Sequence, residues 1–263
     1  MGRSWRWGIS LLPILGQVVV GLALSAEQDQ QPLAQRFRLL QEGRYVYERH
    51  CQICHGRRGD GRGDWAASLL PRPRSFRSGE FKYRSTAYGK LPTDGDLART
   101  IRQGRSNTAM GMFAKLSDRQ VSAVITYLKT FSRKFNDPEY HGEPLSLPAA
   151  PSWFRDTKLR SAKSSKGRDL FQTTCAPCHG EHADGKGSQA ESLTDTAGRK
   201  ISPANLLADH LRCGDTDEDL VQLILTGMNG TPMLGFAETF TDEQIWELVA
   251  FLQGLRAAAK ADR

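Results

Sequence analysis

The sequence reads Cys51-Gln52-Ile53-Cys54-His55 in its first half and Cys175-Ala176-Pro177-Cys178-His179 in its second, so one Cys-x-x-Cys-His pattern occurs twice, 124 residues apart. Two cysteines on one helical turn can form thioether bonds to the vinyl groups of haem, and the adjacent histidine then reaches the iron. The pattern predicts two covalently attached haem c groups. The predicted attachment residues are Cys51, Cys54, Cys175 and Cys178, and the predicted iron ligands are His55 and His179.

Matching residues flank the two motifs, which indicates a duplicated structural unit. The segment 60–63 matches 184–187 at the offset of 124, and the offset later becomes 123. A duplication leaves two units of about 100 residues, a usual domain size. We predict domains over 32–133 and 165–258, joined by a proline-containing linker over 134–164. The matched pairs include Gly43 and Gly167, Asp96 and Asp219, Gly104 and Gly227, Met110 and Met233, and Phe113 and Phe236.

Each unit is predicted to be all-α, because no segment shows a convincing strand pattern. An early helix is predicted over about 34–54 and again over 165–178, and a middle helix over 94–103 and 217–226. The last helices begin at the capping boxes Ser117-x-x-Gln120 and Thr241-x-x-Gln244 and run to about 131 and 255. Each unit is therefore predicted to contain three helices.

A glycine lies inside each predicted early helix, at Gly43 and Gly167. Glycine costs helix stability, so its repetition predicts close approach of another backbone or ring. Tyr127 and Phe251 on the last helices are the expected partners.

The iron needs a sixth ligand on the face opposite the histidine. Met110 and Met233 are the predicted ligands, because they lie at matching positions, six residues past the glycine that ends each middle helix. Methionine otherwise serves as a flexible filler of cores. Met112 and Met228 are the local alternatives, but neither has a methionine at its equivalent position in the other unit.

An iron-bound histidine needs an acceptor for its other ring nitrogen. Pro73 and Pro203 follow the two motifs at plausible distances, and a proline carbonyl can accept a hydrogen bond in an extended loop. These two carbonyls are the predicted acceptors.

The N-terminal residues 1–26 are predicted to be a secretory signal, since Arg3 and Arg6 precede an apolar stretch over 8–24. An uncleaved membrane anchor is the alternative, because 17 apolar residues are borderline for crossing a bilayer. Either reading predicts a periplasmic protein, with possible membrane association through this segment.

Cys213 is the fifth cysteine and has no counterpart in the first unit. It is predicted to be a small, partly buried residue, and a role as thiolate ligand is the less favoured alternative. The cysteines are therefore not a disulfide framework.

Both halves resemble class I cytochrome c domains, and the whole resembles the bacterial dihaem cytochromes c made by fusing two of them. The early helix, Cys-x-x-Cys-His-Gly, long loop, methionine loop and final helix occur in that order in residues 34–132 and 165–256. The resemblance implies His/Met ligation and electron transfer without catalysis. The ligand methionine of the family is commonly followed by proline, whereas Gly111 and Leu234 follow here.

Two other classes remain open at this point. A dihaem redox enzyme, of peroxidase or thiosulfate-oxidising type, would need a vacant or unusual iron ligand, whereas methionine stands at both expected positions. Zinc could bind four cysteines at such spacings, but the repeated methionine loops and the export signal argue against it.

Charge is unevenly distributed between the halves. Residues 32–150 contain 21 Lys and Arg against 11 Asp and Glu, and residues 151–263 contain 13 against 16. Segments 71–76 and 81–84 are basic and aromatic, as in some nucleic-acid-binding proteins, but an exported cytochrome has no nucleic-acid partner and arginines near haem commonly pair with propionates. The asymmetry predicts that the first domain docks an acidic redox partner protein and that the second faces a different partner. The alternative is a basic surface that serves solubility or contact with an anionic membrane.

Overall fold

The computed structural model describes residues 33–262, and within this range the regular structure is helical, with two isolated β-bridges and no strand. Residues 39–262, which contain all of the first repeat beyond the start of its first helix and the whole described part of the second, lie in one compact unit. The helices of the first repeat are α1 (Leu33–His50), α2 (Gln52–His55), α3 (Asp94–Gln103) and α4 (Asp118–Lys129), and those of the second are α5 (Thr157–Leu170), α6 (Ala176–His179), α7 (Asp217–Thr226) and α8 (Asp242–Ala261).

The all-α prediction and the middle helices are confirmed, and so are the two predicted capping boxes. The side chains of Ser117 and Thr241 accept from the N–H of Gln120 and Gln244, whose amides accept in return. The last helix of the second repeat continues beyond the predicted end at 255, to Ala261.

The predicted start of the second early helix, at 165, is wrong. Helix α5 begins at Thr157, because the Asp156 carboxylate accepts from the N–H groups of Lys158 and Leu159 and caps it. Its first turns are largely exposed and carry no apolar period, so the helix pattern that marks buried helices is missing there. A π-helical turn, Phe171–Cys175, then separates α5 from α6, where a continuous helix was predicted.

Close approach at the two helix glycines is confirmed. A Cβ on Gly43 would lie 2.0 Å from the carbonyl oxygen of Ala123, and one on Gly167 would lie 1.9 Å from that of Glu247. Tyr127 contributes at Gly43, whereas at Gly167 the contact is with the backbone of α8 rather than with Phe251. The early and last helices therefore cross backbone to backbone in both repeats.

Aromatic rings surround each crossing. Tyr47 of α1 packs against Tyr127 and Phe131, and Phe171 packs against Phe251. Tyr47 and Phe171 are almost completely buried, and burial of such large rings supplies much of the stability of a small helical core. Each repeat thus has an apolar centre beneath its Cys-x-x-Cys-His turn.

Much of the segment predicted as a linker packs on the second repeat. Phe154 is buried against Trp246, Trp153 donates to Glu243, and Trp246 donates to the Pro148 carbonyl. The expectation that Trp153 and Phe154 pack on a domain is confirmed.

No helix within residues 33–262 is long and apolar enough to cross a membrane. The predicted signal or anchor segment, 1–26, lies outside the described residues.

Candidate functional site

The two Cys-x-x-Cys-His motifs form short helices with the same geometry. The N–H of Gly56 bonds to the Gln52 carbonyl, and that of Gly180 bonds to the Ala176 carbonyl. Both glycines have φ near +80°, a conformation that glycine adopts without strain. The four motif cysteines are free and partly exposed. Their thiols are thus available for thioether bonds on one turn.

The histidine of each motif is held by a backbone carbonyl. His55 Nδ1 lies 3.0 Å from the Arg74 oxygen, and His179 Nδ1 lies 3.2 Å from the Ala204 oxygen. A carbonyl can only accept, so Nδ1 carries the proton and Nε2 keeps its lone pair for a metal. Burial lowers the pKa of both histidines, which also favours the neutral ring.

The predicted acceptors, Pro73 and Pro203, are wrong by one residue. Their carbonyls lie beside Gly61 and Gly185, where an added Cβ would come within 2.6 and 2.9 Å of them. Successive carbonyls of an extended chain point in opposite directions, so the next carbonyl along faces the histidine. The loops were correctly identified, but the direction of each carbonyl depends on the close approach of a glycine.

The rings beside the two histidines differ. Phe76 stacks on His55 at 4.5 Å between ring centres. Its equivalent is Leu206, because the N–H of Phe76 bonds to the Gly59 carbonyl as that of Leu206 bonds to the Ala183 carbonyl. The repeats therefore match here at an offset of 130.

The two predicted methionine ligands lie in loops of the same construction. We call residues 104–110 the first methionine loop and residues 227–233 the second. The Arg105 N–H bonds to the Met110 carbonyl and the Met228 N–H to the Met233 carbonyl, both at 2.9 Å. A threonine hydroxyl braces each loop: Thr108 Oγ1 accepts from Met110 N at 3.0 Å, and Thr231 Oγ1 accepts from Met233 N at 3.3 Å.

The alternative methionines occupy different positions. Met112 is 74% exposed and lies beyond the first methionine loop. Met228 is the second residue of the second loop and is equivalent to Arg105 of the first. Only Met110 and Met233 occupy equivalent, partly buried places.

Cations collect on the basic segment of the first repeat. Burial, together with the charges of Arg74 and Arg212, lowers the pKa of Lys82 to about 8. Burial and the charge of Arg199 likewise lower the pKa of Arg74. Buried cations require anionic partners, and haem propionates are anions of suitable size and charge.

Cys213 packs beside the second apolar core, as expected for a small residue. Burial raises the pKa of its thiol to about 12, so it is protonated at neutral pH. A cavity of about 20 Å³, large enough for one water molecule, lies beside it, with Tyr83 and Arg105 of the first repeat also lining it.

Sequence reasoning missed several residues that brace these loops. Thr93 and Thr216 cap the middle helices in capping boxes with Asp96 and Asp219. The signal was the repeated Thr-x-x-Asp, which differs from the usual Glu or Gln box only in its shorter acid. Arg84 was grouped with the basic stretch, although it is 1% exposed.

These features together fit covalent haem. Each repeat contains two free thiols on one turn, a neutral histidine held at Nδ1, a braced methionine loop and an apolar centre. The half-buried cations Arg74 and Lys82 of the first repeat suit propionates.

Comparison with known proteins agrees with this geometry. The family model described as "Cytochrome C oxidase, cbb3-type, subunit III" matches the chain twice, over residues 38–128 and 162–252. A chain of the Kuenenia stuttgartiensis reducing HAO-like protein complex is 32% identical, with a TM-score of 0.74, and the match covers 81% of this chain and 95% of that one.

Two curated relatives are more distant. The fructose dehydrogenase cytochrome subunit of Gluconobacter japonicus is 25% identical over 77% of this chain and 46% of its own length. The cbb3-type cytochrome c oxidase subunit CcoP of Azospirillum brasilense is 24% identical over 81% of this chain and 61% of its own length. This chain therefore spans about half to three fifths of the length of these relatives.

The family matches fall on both repeats and include both haem-attachment turns. The chain belongs to the cytochrome c family described as "Cytochrome C oxidase, cbb3-type, subunit III", as a dihaem member with two tandem domains that bind covalently attached haem c.

Proposed function

We propose that this protein transfers single electrons between extracytoplasmic redox proteins through two haems, ligated by His55 and Met110 in the first repeat and by His179 and Met233 in the second. Haem supplies a one-electron Fe(III)/Fe(II) couple when bound. The chain's own residues attach it, orient the histidine through Arg74 and Ala204, and limit access of water.

The observation that carries this proposal is the equivalence of the two methionine loops. Each is closed by the same 2.9 Å backbone hydrogen bond and braced by a threonine, in a repeat whose histidine leaves Nε2 free. A pair of closed His/Met sites has no open iron position, which suits electron transfer rather than a reaction at the metal.

The ligands can be tested by spectroscopy of the haem-loaded protein. Met110→Ala and Met233→Ala should each remove about half of the ferric iron–methionine absorption band, since each site supplies one such bond. Met112→Ala, the matched control in a neighbouring methionine, should keep the full band. A full band in either ligand variant would contradict the assignment.

Carbon monoxide separates this function from the enzyme alternative. The reduced, unmodified protein should bind little carbon monoxide, because both iron positions are filled, whereas Met110→Ala and Met233→Ala should each open one site. Stoichiometric binding to the unmodified protein would favour a dihaem redox enzyme.

We further propose that the first repeat docks an acidic redox partner. Arg57, Arg58 and Arg62 are exposed on the loop that follows the first haem motif. The equivalents of the first two in the second repeat are Glu181 and His182. Complementary charge raises the rate of encounter and fixes orientation.

Stopped-flow reduction of plastocyanin, an acidic copper protein, tests this surface. We expect the rate to fall steeply with ionic strength, and Arg57→Glu with Arg58→Glu to slow it about tenfold at low salt. Lys158→Glu with Lys260→Glu gives the same charge change at exposed positions in the second repeat and should have a much smaller effect. Equal slowing by both pairs would show that the rate depends only on net charge and would contradict a docking surface on the first repeat.

The names of the relatives suggest an assembly. They are named as subunits of a dehydrogenase and an oxidase, and the similar solved chain belongs to a complex. We propose that this protein is an electron-transfer subunit in the periplasm, and that residues 1–26 hold it at the membrane where they are not cleaved. Co-purification from the detergent-solubilised membrane and soluble fractions tests this, and recovery as a free soluble monomer would contradict it.

A further inference from the structure

The first repeat contains a loop that the second lacks. At the offset of 130 that matches Phe76 with Leu206, Arg84 corresponds to Gly214. Eight residues, 85–92, separate Arg84 from the helix cap Thr93, whereas only Asp215 separates Gly214 from the cap Thr216. We call residues 84–91 the clasp loop.

The clasp loop is fixed within the first repeat. Asp96 is 3% exposed, and one of its carboxylate oxygens accepts from the N–H and hydroxyl groups of both Ser85 and Thr93, at 2.9–3.0 Å. The Thr86 hydroxyl donates to the Leu91 carbonyl, and the Leu91 N–H bonds to the Tyr140 carbonyl. A loop with so many internal hydrogen bonds presents its outer groups in a defined geometry.

Arg84 points from this loop to the end of helix α7 in the other repeat. Its guanidinium donates to the carbonyls of Thr226 at 2.6 Å and Gly227 at 3.2 Å. Carbonyls at a helix C-terminus lack partners within the helix and carry partial negative charge, so a cation stabilises them. Burial lowers the pKa of Arg84 to about 10, so it stays charged at neutral pH.

The rest of the clasp loop holds the second methionine loop directly. Asn229 accepts from the Gly89 N–H at 2.8 Å and donates to the Lys90 carbonyl at 2.7 Å. The Tyr88 hydroxyl donates to the Thr231 carbonyl at 2.9 Å. The hydroxyl of Thr231 also accepts from Met233 N. Two hydrogen bonds in series, from Tyr88 to Thr231 and from Met233 to Thr231, therefore connect the first repeat to the predicted ligand of the second haem.

The second repeat has Gly214 at the position of Arg84, so no side chain from this position holds the first methionine loop. That loop meets the second repeat through Asn107, whose amide donates to the His210 carbonyl, and through Arg105, which lines the cavity beside Cys213. Its residues Ser106 and Asn107 are exposed, whereas Asn229, Gly230 and Thr231 are buried.

We propose that the clasp loop positions the methionine ligand of the second haem, so that the second iron–methionine bond depends on the first domain while the first bond does not depend in this way on the second. This inference rests on the proposed ligation by Met110 and Met233. Arg84 and Tyr88 bond to the backbone of the second methionine loop, and Asn229 of that loop bonds to the backbone of the clasp loop. All three are positioning residues.

Competition by imidazole for the ferric haems of the full-length holoprotein tests the clasp. In Met110→Ala, the iron–methionine band comes from the second haem alone, and loss of this band reports displacement of Met233. Adding Arg84→Met, which keeps length and removes the donors, should raise the affinity for imidazole about tenfold, since charge-assisted hydrogen bonds are lost. In Met233→Ala, where the first haem supplies the band, Arg84→Met should leave the affinity unchanged.

The exposed Arg133 provides the matched control, and Arg133→Met should change neither background. An unchanged affinity for imidazole in Met110→Ala with Arg84→Met, or an equal change in both backgrounds, would overturn the proposal that the clasp loop positions Met233. Absence of the band from Met110→Ala itself would instead refute ligation by Met233. If Arg84→Met does not fold or load haem, Tyr88→Phe is tested instead. We expect it to raise the affinity for imidazole about threefold in Met110→Ala and not in Met233→Ala. No increase in Met110→Ala would overturn the proposal.

Discussion

The two methionine loops have the same internal hydrogen bonds and different surroundings. Residues 104–110 and 227–233 are each closed from their second residue to their last and braced by a threonine. Four of the seven residues of the second loop are buried, and the clasp loop bonds to it, whereas one of the seven residues of the first loop is buried. Duplication thus copied the local geometry, and an insertion of the first repeat gave one copy a different environment.

The repeats should respond alike where they are built alike. Gly43→Ala and Gly167→Ala should each lower the free energy of unfolding by about 3 kcal/mol or more, because the added methyl group meets a backbone carbonyl that cannot move aside. Denaturation of the holoprotein measures this. Gly254→Ala in α8, where nothing lies within 4 Å of the added Cβ, should stabilise by up to about 1 kcal/mol. A much smaller loss in one repeat would show that its helix crossing is looser.

Asp96 and Asp219 occupy equivalent positions but support different loops. Asp96→Ala should cost about 3 kcal/mol, because Ser85 and Thr93 lose a buried acceptor. Asp219→Ala should cost about 1 kcal/mol, since Asp219 accepts from Thr216 N at 3.2 Å in a more exposed cap. Equal losses in thermal unfolding would mean that the clasp loop adds no stability.

The threonines that brace the methionine loops isolate the effect of burial. Thr231→Ala should cost about 2 kcal/mol, because it leaves the Met233 N–H without its acceptor in a buried loop and removes one of the two donors to the Met228 carbonyl. Thr108→Ala removes the same contacts from a loop that water reaches, so we expect less than about 1 kcal/mol. Urea unfolding of both variants checks the order, and a larger loss at Thr108 would contradict it.

Asp215 occupies the short connection that replaces the clasp loop in the second repeat. Burial acts to raise its pKa, but hydrogen bonds from His210 and Leu211, with the charge of Arg256, outweigh burial and lower it. A lowered carboxyl pKa stabilises the folded state above the unfolded value of about 3.9, and this stability is lost as pH falls through the folded value. Asp215→Asn should therefore lower the melting temperature at pH 7, and the difference should shrink below about pH 4. A difference that is constant with pH would refute the ionised role.

Short sequence motifs predicted much of the structure. Ser117 and Thr241 predicted the starts of the last helices, because a capping box depends on residues three apart. The haem cysteines and histidines could be identified for the same reason. The prediction of Pro73 and Pro203 as acceptors was wrong by one residue, because the pattern of apolar residues does not show the direction of a carbonyl. Helix α5 begins earlier than predicted, because its exposed first turns have no apolar period.

The sequence by itself determined the duplication, the helical class, the two haem-attachment turns and the equivalence of Met110 and Met233, since all of these follow from short spacings. The tertiary structure alone decided that Arg84 reaches Thr226 and Gly227, about 140 residues away along the chain, and that Asn229 joins the backbone of residues 89 and 90. Those contacts exist only when two domains pack together, and packing buries polar groups that must then find partners across the interface. The sequence therefore predicted two equivalent haem sites, and the tertiary structure shows that their methionine loops have different surroundings.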